Sequence, residues 1–409
     1  MLPVADAERL ILDLIQPLSE TETVSLESAT GRILAASVTS GLDFPYWDNS
    51  AMDGYAVRWE DLKSCDRAHP QTLPIIEEIP AGSQPQKTLE SGQAARIFTG
   101  AIMPPGADAV IMQEDTERNG DTVTILAAPQ PYDFVRKKGE YYQAGTTLLK
   151  AGTLIEAPEL ALLASAKCNP LKVYRRPRVA IFSTGDELIT PDQSLTPGKI
   201  VDSNQYALTA FLISQGAVPI NLGIVPDQPQ QLKATISRAL RTADFVLSTG
   251  GVSVGDYDYV EEVLTQLGGK IHLTSVAIKP GKPLTVATFN QNNQSCIYFG
   301  IPGNPVSALV TCWRFVKPAL QKLSGNGEDP RDKFIQGRTN QELKASGKRE
   351  TYLWGNLAWK GTEYEFNLAG GVHSSGNLIN LATTNALAIV PVGETVIHPG
   401  SMVKIMTFR

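Results

Sequence analysis

The sequence predicts a multidomain α/β plus β protein with a central three-layer α/β domain, and three observations lead to this expectation. The chain has 409 residues, which is enough for two to four domains at about 150 residues each. Strand and helix patterns alternate between residues 178 and 323, which is typical of a mostly parallel sheet covered by helices. Regions rich in Gly and Pro with short β-type runs flank this stretch, and they predict smaller β modules.

The first element is an amphipathic helix, because Leu10 and Leu14 recur with Ile11 and Ile15 at helical spacing. Charged residues interrupt this apolar run, so we do not interpret it as a secretory signal. We expect residues 1–41 to form an elongated N-terminal domain of helical and extended segments. Residues 143–173, which include a predicted helix at 157–165, return the chain to this domain.

Residues 42–142 are dense in Gly and Pro and predict a separate mixed β module. Its expected strands are residues 73–79, 94–98, 109–112 and 122–126.

Residues 174–324 carry the alternating pattern of the central domain. Its expected strands are 179–182, 218–222, 245–247, 273–278, 284–288 and 297–299. Its expected helices are 204–214, 230–241, 259–267 and 305–323. After a polar linker, residues 325–409 predict a small C-terminal β-barrel, with a sandwich as the alternative. Its expected strands are 351–359, 364–368, 387–391 and 403–408.

Charge and cysteine content exclude several classes of protein. The formal net charge is −6 and there is no long Lys/Arg run, so we expect no nucleic-acid partner. No segment reaches the roughly 20 apolar residues that cross a bilayer, so we expect no membrane partner. Cys65, Cys168, Cys296 and Cys312 form no CxxC pair, which argues against a zinc ribbon and suits a reducing cytosol. We therefore expect a cytoplasmic protein.

Three loops of the central domain lie at the predicted carboxyl ends of strands, where ligands bind in α/β sheets. They are the STGDEL loop (residues 183–188), the TGGVSVGD loop (249–256) and the PGNP turn (302–305). The glycines of the second loop could let backbone amides approach a phosphate, or they could only serve tight turns. Asp256 and Asp258 favour the phosphate interpretation, because divalent cations that hold phosphates prefer carboxylate ligands.

The PGNP turn has a complete structural explanation, with Asn304 as helix cap and Pro305 at the first helical position. It could also receive an oxyanion. Lys279 and Lys282 lie on a Pro-Gly turn, which favours an anion site over two merely solvated side chains. Upstream, the Asp53-Gly54 pair and the segment 96–101 could be an ordinary turn and an ordinary strand end.

Together these segments resemble one family. SAMDGYA, TGA followed by MPPGADAVIMQED, STGDEL, TGGVSVGDYDY, KPGKP and PGNP occur in this order along most of the chain. The chain is thus similar to molybdopterin molybdenumtransferases, the MoeA and gephyrin E-domain family. The resemblance implies a homodimer of four-domain subunits with a molybdopterin-binding central domain. Such a dimer inserts molybdenum from molybdate into adenylylated molybdopterin and releases AMP, with Mg²⁺ or another divalent cation as cofactor.

The resemblance also implies roles for particular residues. The implied molybdate pocket comprises Lys279, Lys282, Pro302, Pro305, Arg349 and Ser375. The implied pterin or nucleotide loop includes Gly250, Gly251, Ser253, Gly255 and Asp256. The implied catalytic residues are Asp53, Thr99, Glu187, Asp227 and Asp258, with Asp53 and Thr99 reaching across from the partner subunit. The implied metal ligands are Asp53, Glu187, Asp256 and Asp258.

The chain departs from the family pattern at two positions, Tyr141 in place of an acid and Ser275 in place of a basic residue. The first weakens a metal-binding role for that loop, and the second could lower affinity for an anionic ligand. Two alternatives remain, a molybdopterin adenylyltransferase and a non-catalytic scaffold. The SAMDGYA module argues against the first, and the intact acidic loops argue against the second. A separate adenylyltransferase that docks as a partner, and tungstate in place of molybdate, also stay open.

Overall fold

The central sheet has six strands and lies between two layers of helices. The computed structural model describes residues 1–251, 259–291, 294–331 and 334–408. The strand order across the sheet is Val218–Val225, Arg178–Thr184, Phe245–Thr249, Gln294–Ile301, Pro283–Gln291 and Lys270–Ser275. The first four strands are parallel, and Pro283–Gln291 runs antiparallel to both of its neighbours. The predicted three-layer α/β domain is confirmed, with a mixed sheet at one edge.

Alternate residues of each central strand enter different cores, because successive side chains point to opposite faces of a sheet. Val179 and Ile181 lie in one core, and Ala180 and Phe182 lie in the other. The helices on the first face are Asn204–Ser214, Pro305–Thr311 and Lys317–Leu323, the last two joined by the π-helical turn Cys312–Val316. The helices on the second face are Pro229–Thr242 and Val260–Gln266.

The N-terminal helix Val4–Leu14 packs against the first face of the central domain. It ends at Leu14, three residues before Pro17, which cannot continue the helical hydrogen bonds. The following segment joins residues 143–173 through two antiparallel pairs. These are Thr21–Val24 with Leu171–Tyr174, and Val38–Thr39 with Thr147–Leu149. The 3₁₀ turn Leu26–Ser28 and the helix Ala157–Ser165 complete this part. The predicted domain boundaries stay predictions.

The β module between residues 42 and 142 contains a second six-stranded sheet. Its order is Ala109–Met112, Gly54–Val57, Ala94–Ile97, Gln71–Ile79, Thr122–Ile125 and Thr116–Asn119. The helix Trp59–Leu62, the 3₁₀ turn Gln113–Asp115 and the paired strands Asn49–Ser50 and Val135–Arg136 border it. Apolar residues fill cores on both faces, so the module has a hydrophobic interior of its own.

The C-terminal region closes into a five-stranded barrel, which confirms the predicted barrel over the sandwich. Its ring is Glu350–Trp359, Tyr364–Leu368, Ile335–Thr339, Met402–Thr407 and Ala386–Val390, which pairs back with Glu350–Trp359. The ribbon Leu343–Lys344 with Val396–Ile397 and the helix Leu378–Ala382 lie beside it. Ile278–Lys279 of the central region adds to the barrel strand Glu350–Trp359 in parallel. Among the described residues, no helix combines the length and apolarity that a bilayer crossing requires.

Candidate functional site

Two of the predicted loops meet at the carboxyl ends of the parallel strands. The Thr249 hydroxyl donates a hydrogen bond to Ser183 Oγ at 3.0 Å, and Gly250 N donates to Ile301 O at 3.3 Å. Gly250 has a φ of +84°, and a Cβ at this position would lie 2.4 Å from Thr184 O. Only glycine fits such a close backbone approach, so the start of the TGG segment packs directly on the STGDEL loop.

Ser253, Gly255, Asp256 and Asp258 lie outside the described residues. Their predicted roles in holding a nucleotide, a pterin phosphate or a metal ion therefore stay predictions.

The PGNP turn begins the helix Pro305–Thr311, with Pro305 at the first helical position as expected. Asn304 occupies the N-cap position as expected, but its side chain makes no capping hydrogen bond. Two other contacts hold the turn instead. Asn204 Nδ2 donates to Gly303 O at 2.7 Å, and Val306 N donates to Ser375 O at 3.0 Å. The loop that carries Ser375 therefore closes on the first turn of this helix, and Pro302 is buried beside it.

The KPGKP turn packs against the same helix. Gly281 has a φ of +108°, and a Cβ there would lie 2.8 Å from Thr311 Oγ1. The parallel pairing of Ile278–Lys279 with Glu350–Thr351 brings the turn to the barrel strand, and Arg349 Nη1 donates to Ile278 O at 3.3 Å. The structure thus brings the segments that carry the predicted molybdate-pocket residues against the helix Pro305–Thr311 and the barrel strand Glu350–Trp359, although these segments come from distant parts of the chain.

Lys279, Lys282 and Arg349 form what we call the cationic cluster. Within the described ranges, none of the three makes an ion pair with a carboxylate. The chain as a whole carries a net charge of −6, so acids are abundant elsewhere. Cations that a folded protein leaves without carboxylate partners on a rigid turn suit an oxyanion ligand.

An acidic cluster lies where the STGDEL loop meets the segment that follows the strand Val218–Val225. Asp186 N donates to Asp227 Oδ2 at 3.4 Å, and Asp227 N donates to Asp186 Oδ1 at 3.2 Å. Burial raises the pKa of Asp227 above its ordinary value, and the charges of Asp186 and Glu187 raise it further. Crowded carboxylates of this kind fit a divalent cation. Among the described residues, no group of three acids, histidines or cysteines is arranged to hold one by itself.

The sequence analysis missed two acids at this site. Asp186 escaped notice because only its contact with Asp227, 41 residues away, distinguishes it from an ordinary loop acid. Asp202 is 4% exposed, and its Oδ1 accepts hydrogen bonds from Asn204 N and Gln205 N. Its Oδ2 is buried without a protein partner in the described part of the chain. An Asp two residues before a predicted helix could have signalled the first contact, but nothing local signalled the second.

Asp53 and Thr99 lie together in the β module, and we call this pair of one carboxylate and one hydroxyl the acid pair. Asp53 Oδ1 accepts hydrogen bonds from both Thr99 N and Thr99 Oγ1, each at 2.7 Å. The backbone N–H of Thr99, followed by its hydroxyl, lowers the pKa of Asp53, which is fully exposed. In the described residues, no hydrogen bond or ion pair links residues 47–138 with residues 174–408. Within one chain, nothing in these contacts joins the acid pair to the cationic cluster.

The two departures from the family pattern have simple environments. Tyr141 is 58% exposed, and its ring contacts Phe44 with centroids 5.9 Å apart. Ser275 is half-buried and accepts a hydrogen bond from Leu2 N through its backbone oxygen.

Three family models match the chain in succession. They are described as the MoeA N-terminal region (domain I and II) at residues 2–166, a probable molybdopterin binding domain at 180–322, and the MoeA C-terminal region (domain IV) at 336–408. A protein named molybdopterin molybdenumtransferase from a Nostoc species is 56% identical over 406 residues, covering 98% of this chain and 93% of its own length. Its namesake from Bacillus subtilis is 34% identical, covering 100% and 94%. The crystal structure of a molybdopterin biosynthesis moeA protein from Pyrococcus horikoshii matches with a TM-score of 0.84 at 28% identity and covers all of both chains.

Proposed function

We propose, because this chain belongs to the molybdopterin molybdenumtransferase family, that it inserts molybdenum from molybdate into adenylylated molybdopterin and releases AMP. Membership of this family makes the chain a transferase of molybdenum cofactor biosynthesis. We propose further that the site residues are those the resemblance implies, that Mg²⁺ is the cofactor, and that the protein acts as a homodimer in the cytoplasm.

The observation that carries the proposal is the unpaired state of the cationic cluster. Molybdate is a dianion, and Lys279, Lys282 and Arg349 offer positive charge that no described carboxylate neutralises. Pro302, Pro305 and Ser375 border the same place and would limit the size of the anion. Charge-assisted hydrogen bonds from Lys and Arg are about twice as strong as neutral ones, which supports oxyanion binding in an acidic protein.

The adjoining loops support a phosphorylated ligand with a cation. The glycines at 250 and 251 bring the backbone close to the strand ends, where a pyrophosphate could approach the amides that follow. Glu187 and Asp227 would supply only part of a ligand set for Mg²⁺, which the predicted ligands Asp53, Asp256 and Asp258 would complete, and the cation would neutralise phosphate charge during cleavage of the phosphoanhydride bond. In that cleavage water adds to phosphorus, AMP leaves, and the pterin keeps its other phosphate.

Two observations support a homodimer with shared sites. Among the described residues, the acid pair has no hydrogen bond or ion pair to the central domain, although the resemblance assigns the acid pair and the central domain to one active site. The helix Asn204–Ser214 also leaves Tyr206 61% and Ile213 59% exposed, and these two residues lie on one face of the helix because they are seven positions apart. A second subunit that covers this helix could bring its own Asp53 and Thr99 to the cationic cluster. A docked adenylyltransferase remains a further possible partner for the substrate.

The test is release of AMP by purified protein from adenylylated molybdopterin. We expect little AMP without molybdate and rapid release when molybdate and Mg²⁺ are both added. A parallel reaction with ATP and molybdopterin tests the adenylyltransferase alternative. Molybdate-independent release, or efficient adenylylation from ATP, would contradict the proposal.

A further inference from the structure

A buried asparagine holds one carbonyl group of the PGNP turn. Asn204 is 7% exposed and begins the helix Asn204–Ser214. Its Nδ2 donates a hydrogen bond to Gly303 O at 2.7 Å. A carbonyl oxygen only accepts hydrogen bonds, so the side-chain atom in contact with it must be the amide nitrogen. The contact therefore needs the donor that asparagine supplies.

The position of Asn204 is itself fixed by its neighbours. Asn204 N donates to Asp202 Oδ1 at 3.0 Å, and Asp202 N donates to Ile189 O at 2.9 Å, one residue beyond the STGDEL loop. Leu208 and Leu212 of the same helix are buried in the core on the first face of the central sheet. The amide donor thus lies on a rigid element, and the PGNP turn is oriented against it.

The hydrogen bond to Gly303 O also sets the direction of a peptide N–H. In a trans peptide, the carbonyl oxygen and the N–H of the following residue point in opposite directions. Gly303 O points to Asn204, so the N–H of Asn304 points away from Asn204. Asn304 is exposed, and among the described residues no acceptor takes this N–H.

The peptide lies between two residues of the implied molybdate pocket. Pro302 and Pro305 flank it in the chain, and neither of these prolines has an N–H of its own. If the peptide turned over, the turn would present the Gly303 carbonyl oxygen in place of the Asn304 N–H. A carbonyl oxygen repels an oxyanion, whereas a backbone N–H donates a hydrogen bond to it. The orientation of this one peptide therefore affects how the turn can interact with an anion.

We propose that Asn204 is a positioning residue that fixes the Gly303–Asn304 peptide, so that the N–H of Asn304 donates to an oxygen of bound molybdate. This inference rests on the proposed function, because that proposal places the oxyanion at Pro302 and Pro305. The resemblance assigned a role neither to Asn204 nor to the Asn304 N–H.

The direct test is nuclear magnetic resonance of deuterated protein that carries carbonyl-¹³C glycine and ¹⁵N asparagine. This labelling selects Gly–Asn peptides, of which the chain has four, at 303–304, 325–326, 355–356 and 376–377. The variant Asn304→Asp identifies the 303–304 signal by removing it. We expect molybdate to shift the 303–304 amide signal in the unaltered protein and to leave the 325–326 and 355–356 signals in place.

The variant Asn204→Asp replaces the donor by an acceptor of the same size. Its carboxylate repels Gly303 O and accepts from the Asn304 N–H, so the peptide should turn over, which glycine at 303 permits. We expect the molybdate dissociation constant, measured by titration calorimetry, to rise roughly thirtyfold. Asn204→Ala should raise it only about threefold, because water can replace the lost donor. Asp in the first turn of a helix interacts favourably with the helix dipole, so the variant should fold.

The matched control is Ser203→Asp, which adds the same negative charge one residue away. The Ser203 side chain makes no capping hydrogen bond, so this substitution leaves the contact with Gly303 intact. Its molybdate dissociation constant should rise only about twofold, through the added charge alone.

Two results would overturn the inference while the proposed function stands. One is molybdate binding that leaves the 303–304 amide signal unchanged, and the other is equal molybdate affinity of Asn204→Asp and Ser203→Asp. If the unaltered protein binds no molybdate and releases no AMP, the proposed function fails, and the inference fails with it.

Discussion

The acid pair and the cationic cluster differ in how the fold treats their charges. The exposed carboxylate of Asp53 is satisfied inside its own module by two hydrogen bonds from Thr99. The cations of the cluster have rigid backbones but no described carboxylate partner. The carboxylate of the acid pair thus has hydrogen-bond donors within its own module, whereas the positive charges of the cationic cluster are left for a ligand. The difference supports the proposal that the cluster binds the anion and that the acid pair completes the site from another subunit.

The largest expected effect comes from the cluster itself. Lys279→Ala should lower kcat/KM for molybdate by about a hundredfold, because a charge-assisted contact to a dianion is lost. Lys270→Ala, which removes an exposed lysine at the start of the strand Lys270–Ser275, serves as the control and should have no effect. Steady-state AMP release at varied molybdate measures both variants. Equal activity of the two variants would show that Lys279 of the cationic cluster does not contribute to molybdate binding.

Mixed dimers test whether the two regions act across subunits. Asp53→Asn and Arg349→Ala should each give inactive homodimers that remain folded. Random mixing should restore about a quarter of normal activity, since half of the dimers are mixed and each has one intact site. The readout is AMP release after co-refolding or co-expression with two tags. If the mixture stays as inactive as its components, the two residues act within one chain.

A smaller effect is expected at the acidic cluster, which follows the strands Val218–Val225 and Arg178–Thr184 of the central sheet. The folded-state pKa of Asp227 is raised, so its contribution to stability is fully present below the unfolded pKa and is lost as pH rises through the folded pKa. Near neutral pH the ionised carboxylate therefore destabilises the fold, and a bound cation should relieve this. We expect Mg²⁺ to raise Tm by roughly 2 °C at pH 7.5 and by less at pH 4.5.

The matching variant is Asp227→Asn. It should raise Tm without Mg²⁺ and reduce the gain that Mg²⁺ gives. The comparison is Asp121→Asn, because Asp121 is an exposed acid of the β module with no predicted role in metal binding. Thermal unfolding in Mg²⁺ and in EDTA measures both. An identical Mg²⁺ response in the two variants would show that the acidic cluster of Asp186, Glu187 and Asp227 does not hold the cation.

Much of the fold could be predicted because its signals are local. The helices Ala157–Ser165 and Asn204–Ser214 have the predicted ends, and the central strands lie within a few residues of their predicted positions. The strand Ile335–Thr339 was missed, because it is short and follows a polar linker with no alternating pattern. Asn304 lies at the predicted N-cap position, but contacts from Asn204 and Ser375, which no local pattern signals, hold that turn instead of its side chain.

The candidate site was predictable only in part. The KPGKP motif pointed to Lys279, and the family resemblance implied Arg349 and Ser375; contacts link the segments that carry these residues to neighbouring elements of the central domain. No local pattern pointed to Asp202 or to Asn204. Each of these depends on burial and on a partner from another element.

The sequence by itself determined the order of helices, strands and Gly-rich turns, because periodicity and backbone preference act over a few neighbouring residues. It also determined, through its ordered motifs, the family to which the chain belongs. Only the tertiary structure decided which charges are paired and which are left for a ligand. The physical reason is that ion pairing and burial depend on contacts such as that between Glu8 and Arg314, which lie 306 positions apart in the chain.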